Sequence, residues 1–99
     1  MPIFIRLARL TEKANQDLQN MERMLWDAQQ VMEENGARIP HAYVTLGDYD
    51  IISIIEAPDE TSAAKISALL AHQGNFRAET LSAVPLQEFL ESLKANKEE

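Results

Sequence analysis

The sequence predicts a single α+β domain of the ferredoxin-like kind, βαββαβ, with a four-stranded antiparallel sheet, two helices on one of its faces and a short C-terminal helix. Three observations predict it. Segments with β-rich composition and segments with helical periodicity follow one another in that order. A Gly/Asp-punctuated hairpin signal sits at the middle of the chain. At 99 residues there is room for one hydrophobic core only.

The first segment, Ile3-Phe4-Ile5-Arg6-Leu7-Ala8, is β-branched and aromatic and too short for a free-standing helix, so it reads as a strand. Thr11 offers an N-cap, and Ala14, Leu18, Met21, Leu25, Ala28 and Met32 recur at spacings of four and three, predicting one helix to Asn35-Gly36. Pro40 prevents that helix from resuming. Ala42–Leu46 and Ile51–Ile55 are strands joined through a turn at Gly47-Asp48. Pro58-Asp59-Glu60-Thr61 opens a second helix in which Ala63, Ile66, Leu69 and Leu70 share a face, and Gln73-Gly74-Asn75 closes it. Phe76 to about Val84 reads as an edge strand. After Pro85, Leu86, Phe89, Leu90 and Leu93 mark a face of the terminal helix. The predicted domain is 1–93, with a fraying tail over 94–99.

Composition narrows the chemistry. No Cys is present, which excludes disulfides, thiolate metal sites and a cysteine nucleophile. A net charge of −7 would repel a phosphate backbone, so no nucleic-acid partner is expected. No apolar run approaches the roughly 20 residues of a membrane span, and the N-terminus lacks a signal-peptide pattern. The expected location is cytoplasmic, with no membrane partner.

The strands carry a second message. A sheet covered by helices on one side should alternate apolar and polar residues if its other side meets water. Here Ile51 and Ile55 point one way and Ile52 and Ile54 the other, while Phe4 and Ala8 oppose Ile3, Ile5 and Leu7. Both faces are apolar, which predicts a homodimer or higher homo-oligomer through the open sheet face. The competing arrangement folds the terminal helix over that face within one chain.

Thr45-Leu46-Gly47-Asp48-Tyr49-Asp50-Ile51-Ile52, with Glu56-Ala57-Pro58-Asp59 and Gly74-Asn75-Phe76-Arg77-Ala78-Glu79-Thr80-Leu81, resembles the GYD domain family, named for a Gly-x-Tyr-Asp element. The resemblance spans nearly the whole chain and implies kinship with dimeric α+β barrels, in which two ferredoxin-like protomers close their sheets face to face. That superfamily holds monooxygenases, isomerases, haem-handling enzymes and ligand-sensing domains, so the resemblance does not choose a function. The hairpin is also similar to the Gly-x-x-Asp hairpin in effector domains of leucine-responsive-type regulators, where ligand-binding loops meet between protomers.

Gly47 can take positive φ, and Asp48 and Asp50 can accept backbone N–H bonds, so the Gly-x-Tyr-Asp element suffices as a turn device. A functional role would instead put Tyr49 or Asp50 at a cavity rim. If Ile3, Ile5 and Leu7 face the helices, Arg6 lies on the opposite face with His41, Tyr43, Asp50 and Glu56, an apolar floor with a few polar groups. Arg6, His41, Tyr43, Tyr49, Asp50 and Glu56 are therefore the ligand-binding candidates. An unpaired charge there is costly, so Glu56 or Glu79 is expected beside Arg6. His41 and His72 lack metal-ligand spacing, and neither a metal nor a cofactor is expected. Trp26 lies off the apolar stripe of its helix, either as a partly exposed indole or as a contact with another protein.

The preferred reading is a non-catalytic binding or assembly module with a candidate small-molecule pocket at the sheet–sheet interface. The alternative is a small enzyme, a cofactor-independent oxygenase or isomerase acting on an apolar, oxygen-bearing substrate. Catalytic residues are not assignable from the sequence.

Overall fold

The computed structural model describes residues 1–97. Strand β1 (Ile3–Leu10) lies at the interior of a sheet ordered β2-β3-β1-β4, with β2 spanning Arg38–Val44, β3 Ile51–Glu56 and β4 Phe76–Ala83. All neighbours are antiparallel. This is the α+β, ferredoxin-like arrangement that the segment order predicts, with β2 and β4 both at edges. Strand β2 begins earlier than the composition suggests and contains Pro40. An edge strand tolerates a residue without an N–H, and the β2–β3 register shifts between Arg38 and His41.

The first helical region is three pieces rather than one. Helix α1 (Glu12–Asn15) is capped by Thr11, whose Oγ1 accepts from the Ala14 N–H at 3.2 Å; a 3₁₀ turn covers Leu18–Asn20; α2 then runs Met21–Glu34. Asn20 bonds the Asp17 carboxylate at the break, a local side-chain bond that competes with helix continuation. The buried positions are consequently Ala14, Met24, Ala28 and Met32, while Leu18 and Leu25 are exposed, contrary to the continuous stripe expected. Helix α3 (Glu60–Gln73) starts on Asp59, which accepts from the Ser62 N–H at 2.7 Å, and stops at Gly74 with φ 79°. It buries Ala63, Ile66 and Leu70 against Phe4 and Ile55 from the sheet and Ala28 and Met32 from α2.

Helix α4 (Leu86–Lys97) does not fold back over the open face. Its Leu86, Phe89, Leu90 and Leu93 remain 41–72% exposed, and the radius of gyration is 15.7 Å against about 13 Å for a compact domain of this length. Among the described residues no helix of the same chain covers that face, and the sheet keeps one bare side. Of the tail expected to fray, 94–97 continue α4, while 98–99 lie outside the described residues. Among the described residues no helix is long and apolar enough to cross a membrane.

Candidate functional site on the open sheet face

Register fixes which side chains share the bare face. Residues opposite one another across an antiparallel sheet point the same way, so the pairings assemble cross-sheet rows. One row is His41–Ile54–Ile5–Leu81, the next Tyr43–Ile52–Leu7–Glu79, and a third sets Glu56, Ile3 and Ala83 side by side. The centre is thus a block of isoleucine and leucine, flanked by two aromatic rings on β2 and by charge at the corners. The His41 and Tyr43 rings lie near parallel with centroids 6.4 Å apart, and Tyr43 is exposed.

Each corner carries its own polar cluster. Glu56 pairs with Arg38, and the guanidinium holds this carboxyl below its ordinary range, chiefly by a direct hydrogen bond. At the other end Tyr49 reaches from the β2–β3 loop across β1, donates its hydroxyl to Glu79 Oε2 at 2.8 Å, and lies under the Arg9 guanidinium, 5.0 Å from the ring centroid. That hydrogen bond to a carboxylate raises the Tyr49 phenol above its usual value. Leu7, Arg9, Tyr49 and Glu79 with Arg77 border an open depression of about 270 Å³.

The hairpin that delivers Tyr49 is held by bonds to the backbone, from backbone and side-chain groups alike. Gly47 has φ 110°, the Asp50 N–H donates to Ala8 O at 2.8 Å, and Asp50 Oδ2 accepts from the Leu10 N–H at 2.8 Å. Thr45 closes the loop by donating its hydroxyl to Tyr49 O at 2.6 Å. Residues 4–93 match the GYD domain.

The chain belongs to the GYD domain family.

A relative from Thermus thermophilus, described as a glutamine synthetase and cystathionine beta-lyase binding protein, is 34% identical over 95 residues, covering 95% of this chain and all of the relative. A crystal structure of a protein from the same species superposes with a TM-score of 0.56 at 17% identity, covering 86% of this chain and 95% of that one, a likeness of fold.

Within this GYD domain the six sequence candidates do not form one constellation. His41 and Tyr43 stand together, Glu56 and Tyr49 occupy separate corners, and Asp50 spends its carboxylate on the Leu10 backbone. Arg6 is on the wrong side of the sheet for the site expected from sequence. It is 5% exposed beneath the helices, in the row Ser53–Arg6–Thr80, and neither Glu56 nor Glu79 pairs with it. The difference is one of parity. Bulk alone assigns Ile3, Ile5 and Leu7 to the helices, whereas Phe4, Arg6 and Ala8 face them. Arg9 and Arg38 are absent from the sequence candidates. Arg9 follows Leu7 by two residues and so shares its face, a signal available in the sequence, but Arg38 is hidden because Pro40 argues against a strand. His41 is on the bare face and His72 on α3, across the sheet. Trp26 on α2 is 56% exposed.

Proposed function

We propose that this GYD domain is a non-catalytic binding module that pairs with a second copy through its bare sheet face and docks, as a pair, on an enzyme. The observation that carries the reading is the block Ile5, Leu7, Ile52, Ile54 and Leu81, which sits on the side of the sheet opposite the packed helices and away from the buried core of the described residues. Contiguous apolar surface of this kind marks interaction sites rather than ordinary solvent-facing sheet. A symmetric pairing puts the same patch on both partners, so one strip of aliphatic side chains serves as both halves of the interface. The exposed stripe of α4 extends the surface available to the partner copy.

Kinship with a protein described as binding glutamine synthetase and cystathionine beta-lyase supports a protein partner of that type. Glutamine synthetase and cystathionine beta-lyase from the source organism are the partners to try first, and a module that docks on such enzymes works in the cytoplasm. His41, Tyr43 and Glu56 at the edge of the aliphatic block would then line a small-molecule pocket between the paired sheets. Two measurements test the reading separately. Sedimentation velocity at micromolar concentration is expected to give a dimer or larger, and a monomer there removes the pairing. Biolayer interferometry against the two purified enzymes is expected to give saturable binding to at least one, and no binding to either removes the enzyme partner.

A further inference from the structure

The helix-covered face holds a charge that the fold does not neutralise. Arg6 is 5% exposed, and burial alone lowers its pKa to about 10. It takes part in no ion pair among the described residues, and its buried Nε–H has no hydrogen-bond acceptor. The chain has 16 acidic residues, yet none of the described ones is set beside this cation. Burying a guanidinium is costly unless it is paired and hydrogen-bonded. The Phe76 ring, 5.5 Å from Arg6 Cζ, offsets part of that cost as a cation–π contact but accepts no N–H bond.

Arg6 forms part of the wall of a cleft of about 480 Å³ between α3 and β4. Phe76, Ala71 and Ala78 supply apolar sides, and Ser67 on α3 supplies a hydroxyl, 3.1 Å from that of Thr80 in Arg6's own cross-sheet row. We propose that this cleft is a binding site for a small organic carboxylate, whose carboxylate group pairs with the buried Arg6 guanidinium and whose short apolar body lies along Phe76 and the two alanines. Arg77 also borders the cleft, but it stands opposite Arg9 in the β1–β4 register and by the pleat shares that residue's bare face, which leaves Arg6 as the cleft's cation on the helix side. Its planar guanidinium fork fits a carboxylate bidentately, and its single positive charge complements a single negative one. The apolar walls favour an organic acid over an inorganic ion. This site lies across the sheet from the proposed pairing surface and does not depend on it.

The test is a titration of the ¹⁵N-labelled full chain with butyrate, its neutral isostere butyramide and inorganic phosphate, with ionic strength held constant by chloride. Butyrate is expected to shift the Arg6 Nε–H cross-peak and the Phe76 and Ser67 amides saturably and to raise Tm, with no saturable shift from butyramide or phosphate. Arg6→Met removes the fork and is expected to weaken butyrate by about thirtyfold or more. Ala71→Leu keeps the charge but fills the cleft mouth from an exposed helix position, and is expected to weaken butyrate by about tenfold. Should Arg6→Met fail to fold, Ala71→Leu decides the location. No saturable shift with butyrate, an equal response to butyramide, saturation by phosphate alone, or butyrate binding unchanged in either folded variant would overturn the assignment.

Discussion

The two faces of this sheet are apolar in different ways, and under the proposed pairing the difference separates folding from association. Under the helices, β1 contributes Phe4, Arg6 and Ala8, and β3 contributes Ile51, Ser53 and Ile55, a set with small residues and a charge, filled out by Ala28, Ala57 and Ala63. On the bare side the same strands contribute Ile3, Ile5, Leu7, Ile52 and Ile54, large aliphatics bounded by Arg9 and Glu56 at the strand ends. Most of the long aliphatic side chains on these two strands therefore lie on the side the protomer does not use for its own core. In the proposed pair that aliphatic set gains a second hydrophobic contact, made outside the protomer.

The sharpest way to break this contrast is to charge the bare face. Under the proposed pairing, Ile54→Lys buries an uncompensated ammonium at each half of the interface and is expected to weaken self-association by about a hundredfold or more, read by sedimentation velocity. Its circular dichroism is expected to stay native, because Ile54 makes no part of the protomer's buried core. Unfolding of Ile54→Lys would show that the bare face belongs to the fold. The matched substitution under the helices, Phe4→Ala, is expected to cost about 3–5 kcal/mol in urea denaturation, since Phe4 is 4% exposed within the core cluster.

Smaller effects test the elements that hold the two faces in place. Gly47 has φ 110° with open space where a Cβ would stand, so Gly47→Ala meets no clash and is expected to cost about 1–2 kcal/mol from backbone conformation alone. A cost near zero would mean that the loop relaxes without disturbing Tyr49. The smallest effect concerns the start of α3. The Ser62 backbone N–H holds the Asp59 carboxyl below its ordinary value, and a bond to the Ser62 side chain acts in the same direction. A carboxylate depressed in the folded state contributes stability above its unfolded pKa and loses it as pH falls through its folded pKa. Asp59→Asn keeps a capping oxygen but not the charge. Its Tm is therefore expected to lie a few degrees below wild type at neutral pH and to converge on it as pH falls through the carboxylate range, as followed in a pH series of thermal melts.

The sequence by itself determined the order of elements, because each is written in local physics: β-branched runs for the strands, Thr11 and Asp59 as N-caps, Gly74 as a left-handed stop, and Gly47 in the hairpin. It also determined that both sheet faces are apolar, since alternation along β1 and β3 follows from the pleat alone. Which face the helices cover was not local. Alternation defines two sets of residues but not which set meets α2 and α3, and when both sets are apolar only packing decides. That choice moved Arg6 from the bare face into a cleft beneath α3. The break at Asp17–Asn20 is local, made by side-chain bonds that apolar periodicity does not register. Tertiary structure left Leu18 and Leu25 exposed and sent α4 away from the sheet, because a periodic stripe shows that a helix has an apolar side but not whether this chain supplies the surface to cover it.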